Sequence, residues 1–234
     1  MPFRSAGFNL KLGGVLQPLT AQLLNRLPLA AAQVQTAVEG LVSATVPVEA
    51  KADFLLAFAQ KGETVAEIAA FATALREKSV PPPLAAALRH REILDVVGTG
   101  GDQVGSFNIS TTVAILCAAA GVAVAKHGNR AVTSQVGSAD VLETLGIPVD
   151  LPPAAAAEAL LRHNFAFFFA PNYHPAFKHI GLARQLCAQR GQRTIFNILG
   201  PLLNPARPSA QLIGVPRPEL CEPLAHVLQS LGIR

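Results

Sequence analysis

An apolar run at residues 93–97 empties into Gly98-Thr99-Gly100-Gly101-Asp102, and a glycine-free apolar stretch at 110–120 follows shortly after. A strand that ends in a glycine-rich turn and re-enters a helix narrows the fold sharply. Strands joined by helical crossovers lie parallel. Glycine lets the backbone turn tightly and lets a ligand come close. The helix start adds unpaired N–H groups and the positive end of a dipole. Taken alone, such a turn fits a bare loop as well as an anion cradle.

The same rhythm runs on through the chain. Residues 122–125 read as a strand and 139–145 as a helix capped by Ser138. Residues 152–163 read as a helix, 165–169 as a buried strand and 182–189 as a helix. A strand at 211–215 and a helix at 218–231 complete the alternation. Upstream, residues 20–78 show helical spacing and no convincing strand. Thr20 is expected to cap a short helix, residues 29–43 form a second, and Pro47 starts a third that stops near Gly62. Thr64 with Glu67 three residues later is a capping-box pattern and opens a fourth. Pro81-Pro82-Pro83 breaks the chain between the two rhythms. The expected architecture is a small helical domain over 1–80 and a larger, mainly parallel α/β domain over 81–234.

Composition excludes several classes. Half of the 234 residues are hydrophobic and only 15% are charged, which argues against disorder. The net charge of +4 is dispersed with no Lys/Arg run, so no nucleic-acid arm is expected. No apolar run approaches the ~20 residues of a membrane span, and Arg4, Asn9 and Lys11 interrupt any secretory core. Cys117, Cys187 and Cys221 form no CxxC pair and read as reduced thiols of a cytoplasmic protein.

A second polar cluster, Lys126-His127-Gly128-Asn129-Arg130, follows the strand at 122–125. Open α/β sheets place ligands at the C-terminal ends of strands, so the two clusters could face one crevice. Lys126 and Arg130 match phosphate oxygens. Asn108-Ile109-Ser110-Thr111 lies at a helix start, where such residues either cap the helix or meet a ligand. His127 reads as a general base or as a hydrogen-bonding residue. Lys178, His179 and Arg184 form either a solvated helix face or a functional one.

These stretches together resemble the anthranilate phosphoribosyltransferase family. The resemblance is carried by Gly98-Thr99-Gly100-Gly101-Asp102, Asn108-Ile109-Ser110-Thr111, Lys126-His127-Gly128-Asn129-Arg130 and Gly137-Ser138-Ala139-Asp140. His174-Pro175-Ala176, residues 193–205, Leu12-Gly13-Gly14 and residues 47–58 extend it in the family's order. The resemblance implies a nucleoside phosphorylase/phosphoribosyltransferase-like α/β fold, with the active site between the helical and α/β domains. It implies transfer of the phosphoribosyl group from phosphoribosyl pyrophosphate to the amine of anthranilate, with release of pyrophosphate, in tryptophan biosynthesis. Gly98, Gly100, Gly101, Asp102, Asn108, Ser110, Thr111, Lys126 and Ser138 would hold phosphoribosyl pyrophosphate. Gly98, His127, Asn129 and Arg184 would hold anthranilate, and Ser110 would ligate Mg2+. A homodimer formed through the helical domain is expected.

Two departures stand out. Gln135-Val136 replace a Lys-Ser pair that the family often carries before Gly137. Family members also continue past the position of Arg234 with an Asp-Glu pair for a second magnesium and further sheet strands. For these 234 residues alone, the expectation is an incomplete metal site, an exposed sheet edge and poor solubility. Competing readings are a pyrimidine-nucleoside-phosphorylase-like enzyme, which shares the glycine-rich loop, and a non-catalytic nucleic-acid-binding relative. Against the latter, Tyr173 is the one tyrosine and tryptophan is absent, so few rings are left to stack on bases.

Overall fold

The computed structural model describes residues 14–100, 107–130 and 136–234. In chain order the elements are α1 (Gln17–Leu24), α2 (Ala31–Val42), α3 (Val48–Lys61), α4 (Val65–Glu77), α5 (Ala86–Arg89), β1 (Ile93–Gly98) and α6 (Ile109–Ala119). They continue with β2 (Ala123–Gly128), α7 (Ser138–Thr144), α8 (Pro153–His163), β3 (Phe165–Phe169), α9 (Ala170–Tyr173) and α10 (Gly181–Gln189). The last are α11 (Phe196–Leu199), β4 (Ala210–Gly214) and α12 (Cys221–Ser230). The chain forms two compact units, one running to Ala74 and taking in Ala176–Phe196, the other made of Leu75–Pro175 and Asn197–Arg234.

The helical unit is organised by apolar stripes and by helix ends. Phe54 stacks on Phe58 with ring centroids 6.0 Å apart, and Phe71 lies tilted against Phe58 at 5.2 Å. Pro47 occupies the N-cap of α3, and Gly62 ends it at φ 86°, a left-handed value that glycine adopts without strain. Thr20 does not cap α1 as expected. It sits inside the helix and its hydroxyl donates to the Leu16 carbonyl at 2.8 Å. α10 packs on α3. The buried Lys51 ammonium donates to the carbonyls of Ser43 and His179, at 2.6 and 2.8 Å, tying the Ala176–Phe196 segment into the unit.

The α/β unit is built on a four-stranded sheet in the order β3-β2-β1-β4, all neighbours parallel. Residues of α8 pack with Ile93, Ala123, Ala125, Ala166, Phe168 and Tyr173. Residues of α6 pack with Val96 and Val124, and those of α7 with Phe167. The chain steps from β1 to β2 to β3 and then returns to place β4 on the other side of β1. That reversal puts a topological switch point at β1, and crevices open at the C-terminal ends of strands there. β4 is an edge strand that leaves Leu212 57% exposed.

Two boundaries differ from expectation. β2 runs on to Gly128, so Lys126 and His127 belong to the strand rather than to the loop after it. Ser138 begins α7, and Gly137 takes the N-cap, its N–H donating to Asp140 Oδ2 at 2.7 Å. The Thr64/Glu67 capping box forms as expected, with the Thr64 N–H 2.9 Å from Glu67 Oε2 and the Glu67 N–H 3.2 Å from Thr64 Oγ1.

Glu67 does more than cap. It is 1% exposed and also accepts from the Leu29 N–H at 2.8 Å and from Lys61 Nζ at 2.7 Å. Burial opposes its charge, but the Leu29 N–H, the Lys61 ammonium and Thr64 together hold its carboxyl below the usual range. A depressed folded-state value contributes stability above the ordinary carboxylate range and loses it as pH falls through the folded value. Removing one partner of such a buried pair costs about 3–5 kcal/mol, so a urea titration of Glu67→Ala at pH 7 is expected to show a loss of that size. The acid limb of the variant's stability curve should be flatter than that of the parent.

Candidate active site

The C-terminal edge of the sheet collects the polar residues of the α/β unit. Gly98 closes β1, Gly128 closes β2 and Gly214 closes β4, with Gly98 and Gly214 in register. The Thr99 N–H donates to the Gly214 carbonyl at 3.0 Å, which starts the turn. Gly100 continues it at φ +70°, where a side chain would be strained. A Cβ on Gly128 would lie 2.8 Å from the buried Phe167 ring, so glycine is needed for close packing there. Gly101 and Asp102 lie outside the described residues, as do Leu12, Gly13, Thr133, Ser134 and Gln135.

Asn108 stands at the N-cap of α6, but its side chain makes no cap; its Nδ2 donates to the Val136 carbonyl at 3.3 Å. The Asn108 carbonyl takes the Thr111 and Thr112 N–H groups at 3.1 and 3.0 Å. Ser110 is half-buried in the first turn and Thr111 is fully buried beside it. Ser138, also half-buried, lies next to Gly128. Asn129 is exposed and its side-chain oxygen accepts the Arg130 N–H at 2.8 Å. Arg130 pairs with Glu143 at 2.6 Å and Asp140 at 3.3 Å and lies over the Phe169 ring.

Beneath this edge sits a charge cluster whose hub was not singled out as a functional residue from the sequence. Asp95, in the middle of β1, has no exposed surface. Its Oδ1 accepts the His127 N–H at 3.2 Å and its Oδ2 accepts Gln211 Nε2 at 3.1 Å. Gln211 Nε2 also donates to the Pro201 carbonyl at 2.6 Å, and Asn204 Nδ2 donates to the Ala125 carbonyl at 2.7 Å. Lys126, 1% exposed, donates from Nζ to the Val96 carbonyl at 2.7 Å. Burial pushes the Asp95 carboxyl up to about 6, against the opposing pull of Lys126, the Asn204 and Gln211 amides and the His127 N–H. Burial likewise pushes Lys126 down to about 8, with Asp95 opposing it. An acid inside an otherwise apolar strand was the signal available in the sequence, since a buried charge is kept only with partners.

His127 is buried, with Nδ1 3.3 Å from the Gly200 carbonyl and its ring 5.3 Å from that of His174. Burial, and then His174, push it down to about 3. The imidazole is neutral at ordinary pH, and a ring proton on Nδ1 facing Gly200 leaves the Nε2 lone pair as an acceptor. A value that low makes His127 a weak base and leaves its ring as a hydrogen-bonding group. Thr99 Oγ1, Thr111 Oγ1 and His127 Nε2 are buried and have no hydrogen-bond partner among the described residues. Buried groups of this kind are ordinarily met by water or a polar ligand.

Among the described residues no group of three or more His, Cys, Asp and Glu side chains could hold a metal ion. The Ser110 hydroxyl can supply one oxygen, which suits a magnesium ion held mainly by substrate phosphates and water. Arg184 belongs to the helical unit, on α10, exposed and 5.4 Å over the Phe196 ring. No helix among the described residues is long and apolar enough to cross a membrane.

The depressed histidines make a prediction about acid stability. An unfolded chain takes up protons near the ordinary histidine value of about 6.5, while folded His127 resists protonation down to about 3 and His174 to about 4. In that window the unfolded state binds more protons, so stability falls as pH is lowered from about 6.5. His127→Gln is expected to shallow this slope when urea midpoints are compared between pH 7 and pH 4.5.

Comparison with known proteins agrees with this geometry. Residues 90–234 match the model of a glycosyl transferase family a/b domain, and residues 17–79 match that of its helical bundle domain. The chain is 47% identical to the anthranilate phosphoribosyltransferase of Petrotoga mobilis over 86% of its own length and 57% of that protein's. It is 43% identical to that of Geobacter sulfurreducens, over 94% of this chain and 65% of the relative. The crystal structure of anthranilate phosphoribosyltransferase from Thermus thermophilus superposes with a TM-score of 0.84 at 42% identity, over 92% of this chain and 63% of that one. The Saccharomyces cerevisiae enzyme in complex with phosphoribosyl pyrophosphate and magnesium superposes with a TM-score of 0.81 at 28% identity, over 93% and 62%. The chain thus spans about three fifths of the length of these relatives. With both domain models matched in order and a parallel sheet whose switch point carries the glycine-rich turn, the chain belongs to this glycosyl transferase family.

Proposed function

We propose that the protein transfers the phosphoribosyl group of phosphoribosyl pyrophosphate to the amine of anthranilate, releasing pyrophosphate. The observation that carries this reading is 43–47% identity to anthranilate phosphoribosyltransferases across at least 86% of the chain, with the matched motifs lying at the C-terminal edge of one sheet. No comparable support favours a nucleoside phosphorylase or a nucleic-acid-binding relative. We further propose a helical domain over 1–80, an α/β domain over 81–234 that lends Ala176–Phe196 to the helical unit, and a cytoplasmic homodimer joined through the helical domain.

In this reading Gly98, Gly100, Gly101 and Asp102 line the pyrophosphate, and Asn108, Ser110, Thr111, Lys126 and Ser138 complete the donor site. The bond from ribose C1 to the pyrophosphate oxygen breaks as the bond to the amine nitrogen forms, and the amine's proton passes to the released pyrophosphate or to water. Positive charge gathers at C1 and negative charge on the leaving group. The N-terminal end of α6 and the Lys126 ammonium answer the negative charge without reorganising. Magnesium, when bound, adds charge neutralisation at the pyrophosphate, with Ser110 as a ligand. The aromatic amine is already a nucleophile, so holding it in line matters more than a strong base. Gly98, Asn129 and the neutral His127 orient anthranilate, and Arg184 answers its carboxylate.

The test is loss of anthranilate fluorescence in the presence of phosphoribosyl pyrophosphate and magnesium, with this chain and with a form spanning the relatives' full length. If the longer form neither binds nor consumes anthranilate, the reading is wrong. A hydrogen bond to a charged group is worth about 1.5–3 kcal/mol. Arg184→Ala is therefore expected to weaken anthranilate binding roughly 10- to 100-fold while leaving donor affinity within about twofold. Equal losses for both ligands would remove Arg184 from its assigned place.

A further inference from the structure

Gly200–Leu203, between α11 and β4, is a single 3-10 turn with Pro201 in its first two residues. So short a helix leaves its last carbonyls without partners of its own. Side chains from distant parts of the chain take them. His127 on β2 has Nδ1 3.3 Å from the Gly200 carbonyl, and Gln211 on β4 donates from Nε2 to the Pro201 carbonyl at 2.6 Å. Arg76, near the end of α4, donates from Nε to the Leu202 carbonyl at 2.5 Å. His174 is bonded to the Leu203 carbonyl. Each peptide group of the turn is thus held from the side, and Pro201, Leu202 and Leu203 are buried.

The Gly200 carbonyl decides a tautomer. A carbonyl oxygen accepts and never donates, so His127 Nδ1 carries the ring proton and Nε2 keeps a lone pair. That Nε2 is buried and meets no donor among the described residues. With the proton on Nε2 instead, the same nitrogen would present an N–H and turn away a ligand N–H. The tautomer therefore depends on where the Gly200 carbonyl stands, and that depends on what holds the peptide groups after it. Arg76 is 9% exposed, and its Nη2 is buried without a partner among the described residues. Its bond to Leu202 joins positions 126 residues apart.

Resting on the proposed place of His127 against anthranilate, we propose that Arg76 is a positioning residue for that substrate: by holding the Leu202 carbonyl it sets the 200–203 turn, so that the Gly200 carbonyl keeps the His127 ring proton on Nδ1 and Nε2 accepts an N–H of the substrate amine. Gln211 holds the same turn through the neighbouring Pro201 carbonyl. An amine held by one N–H keeps its own lone pair for the ribose carbon. A purely structural role for Arg76 would loosen every benzoate-type ligand alike. A positioning role through His127 removes the preference for the amine and leaves the rest of the binding in place.

The experiment reads His127 directly, in the form spanning the relatives' full length. The 15N resonances of its ring, in histidine-labelled protein at pH 7 and assigned with His127→Gln, report which nitrogen carries the proton. The parent is expected to show a protonated Nδ1 and a bare Nε2. Arg76→Met should move the Nε2 resonance toward the protonated position, and Gln211→Met should do the same. Arg76→Lys, which keeps a cationic donor, should restore part of the parent pattern. In calorimetry Arg76→Met should bind anthranilate about fivefold or more weakly than the parent, and benzoate, which lacks the amine, within about twofold. Gln211 is half-buried on the edge strand, so Gln211→Met decides the matter if Arg76→Met does not fold. An unmoved Nε2 resonance in the folded variants overturns the proposal with the place of His127 intact. Equal losses for anthranilate and benzoate overturn it as well, since Arg76 is then structural. A parent that fails to bind anthranilate overturns the place given to His127, and the proposal with it.

Discussion

A carboxylate buried in a parallel sheet sets the terms for the rest of the α/β unit. Asp95 has no exposed surface, and an ionised group in that position is tolerated only when its oxygens are bonded and a counter-charge is near. The strands on both sides of β1 meet that demand, β2 with a backbone N–H and β4 with the Gln211 amide. The Gln211 bond to the Pro201 carbonyl and the Asn204 bond to the Ala125 carbonyl bring the chain between α11 and β4 under the same constraint. One acid therefore links three strands and a connecting segment directly below the glycine-rich turn. Removing it would leave Lys126 and Arg76 as buried cations without an answering carboxylate among the described residues.

The same burial that makes Asp95 and Lys126 costly makes His127 quiet. With Nδ1 facing the Gly200 carbonyl and its value pushed down to about 3, the ring presents a lone pair rather than a charge. That suits a reaction whose nucleophile is an aromatic amine, which needs orientation more than deprotonation. In the proposed reaction cationic character would come from the start of α6 and from Lys126, which lies just beneath the sheet edge. In the proposed reaction polar work would be divided by burial: neutral acceptors for the amine, cations for the phosphates.

Much of this was legible in the chain. Alternation of apolar runs with helical stretches implied a parallel sheet, and the glycines at 98 and 100 implied a turn at a strand end, where Gly100 takes a φ of +70° that few other residues adopt. The Thr64/Glu67 capping box was visible because capping is local and depends on a three-residue spacing. Thr20 misled, since a hydroxyl that bonds the carbonyl four residues back looks the same in sequence as one that caps. The end of β2 was placed too early because Lys126 and His127 are polar, and only their neighbours make polar residues acceptable inside a strand. Asp95, Asn204 and Gln211 were in plain sight without a role, as the partners that join them across the sheet lie 32 to 116 residues away.

By itself the sequence determined what is local and periodic: which stretches are helix or strand, where helices stop, where the backbone must turn through glycine, and which family the ordered motifs resemble. Tertiary structure alone decided which strand lies beside which, and so which polar groups share a buried volume. The order β3-β2-β1-β4 brings Gln211 to Asp95 and makes β1 the switch point. Charge states followed from that arrangement, because an ionisable group answers to desolvation and to charges in space, whatever their separation along the chain.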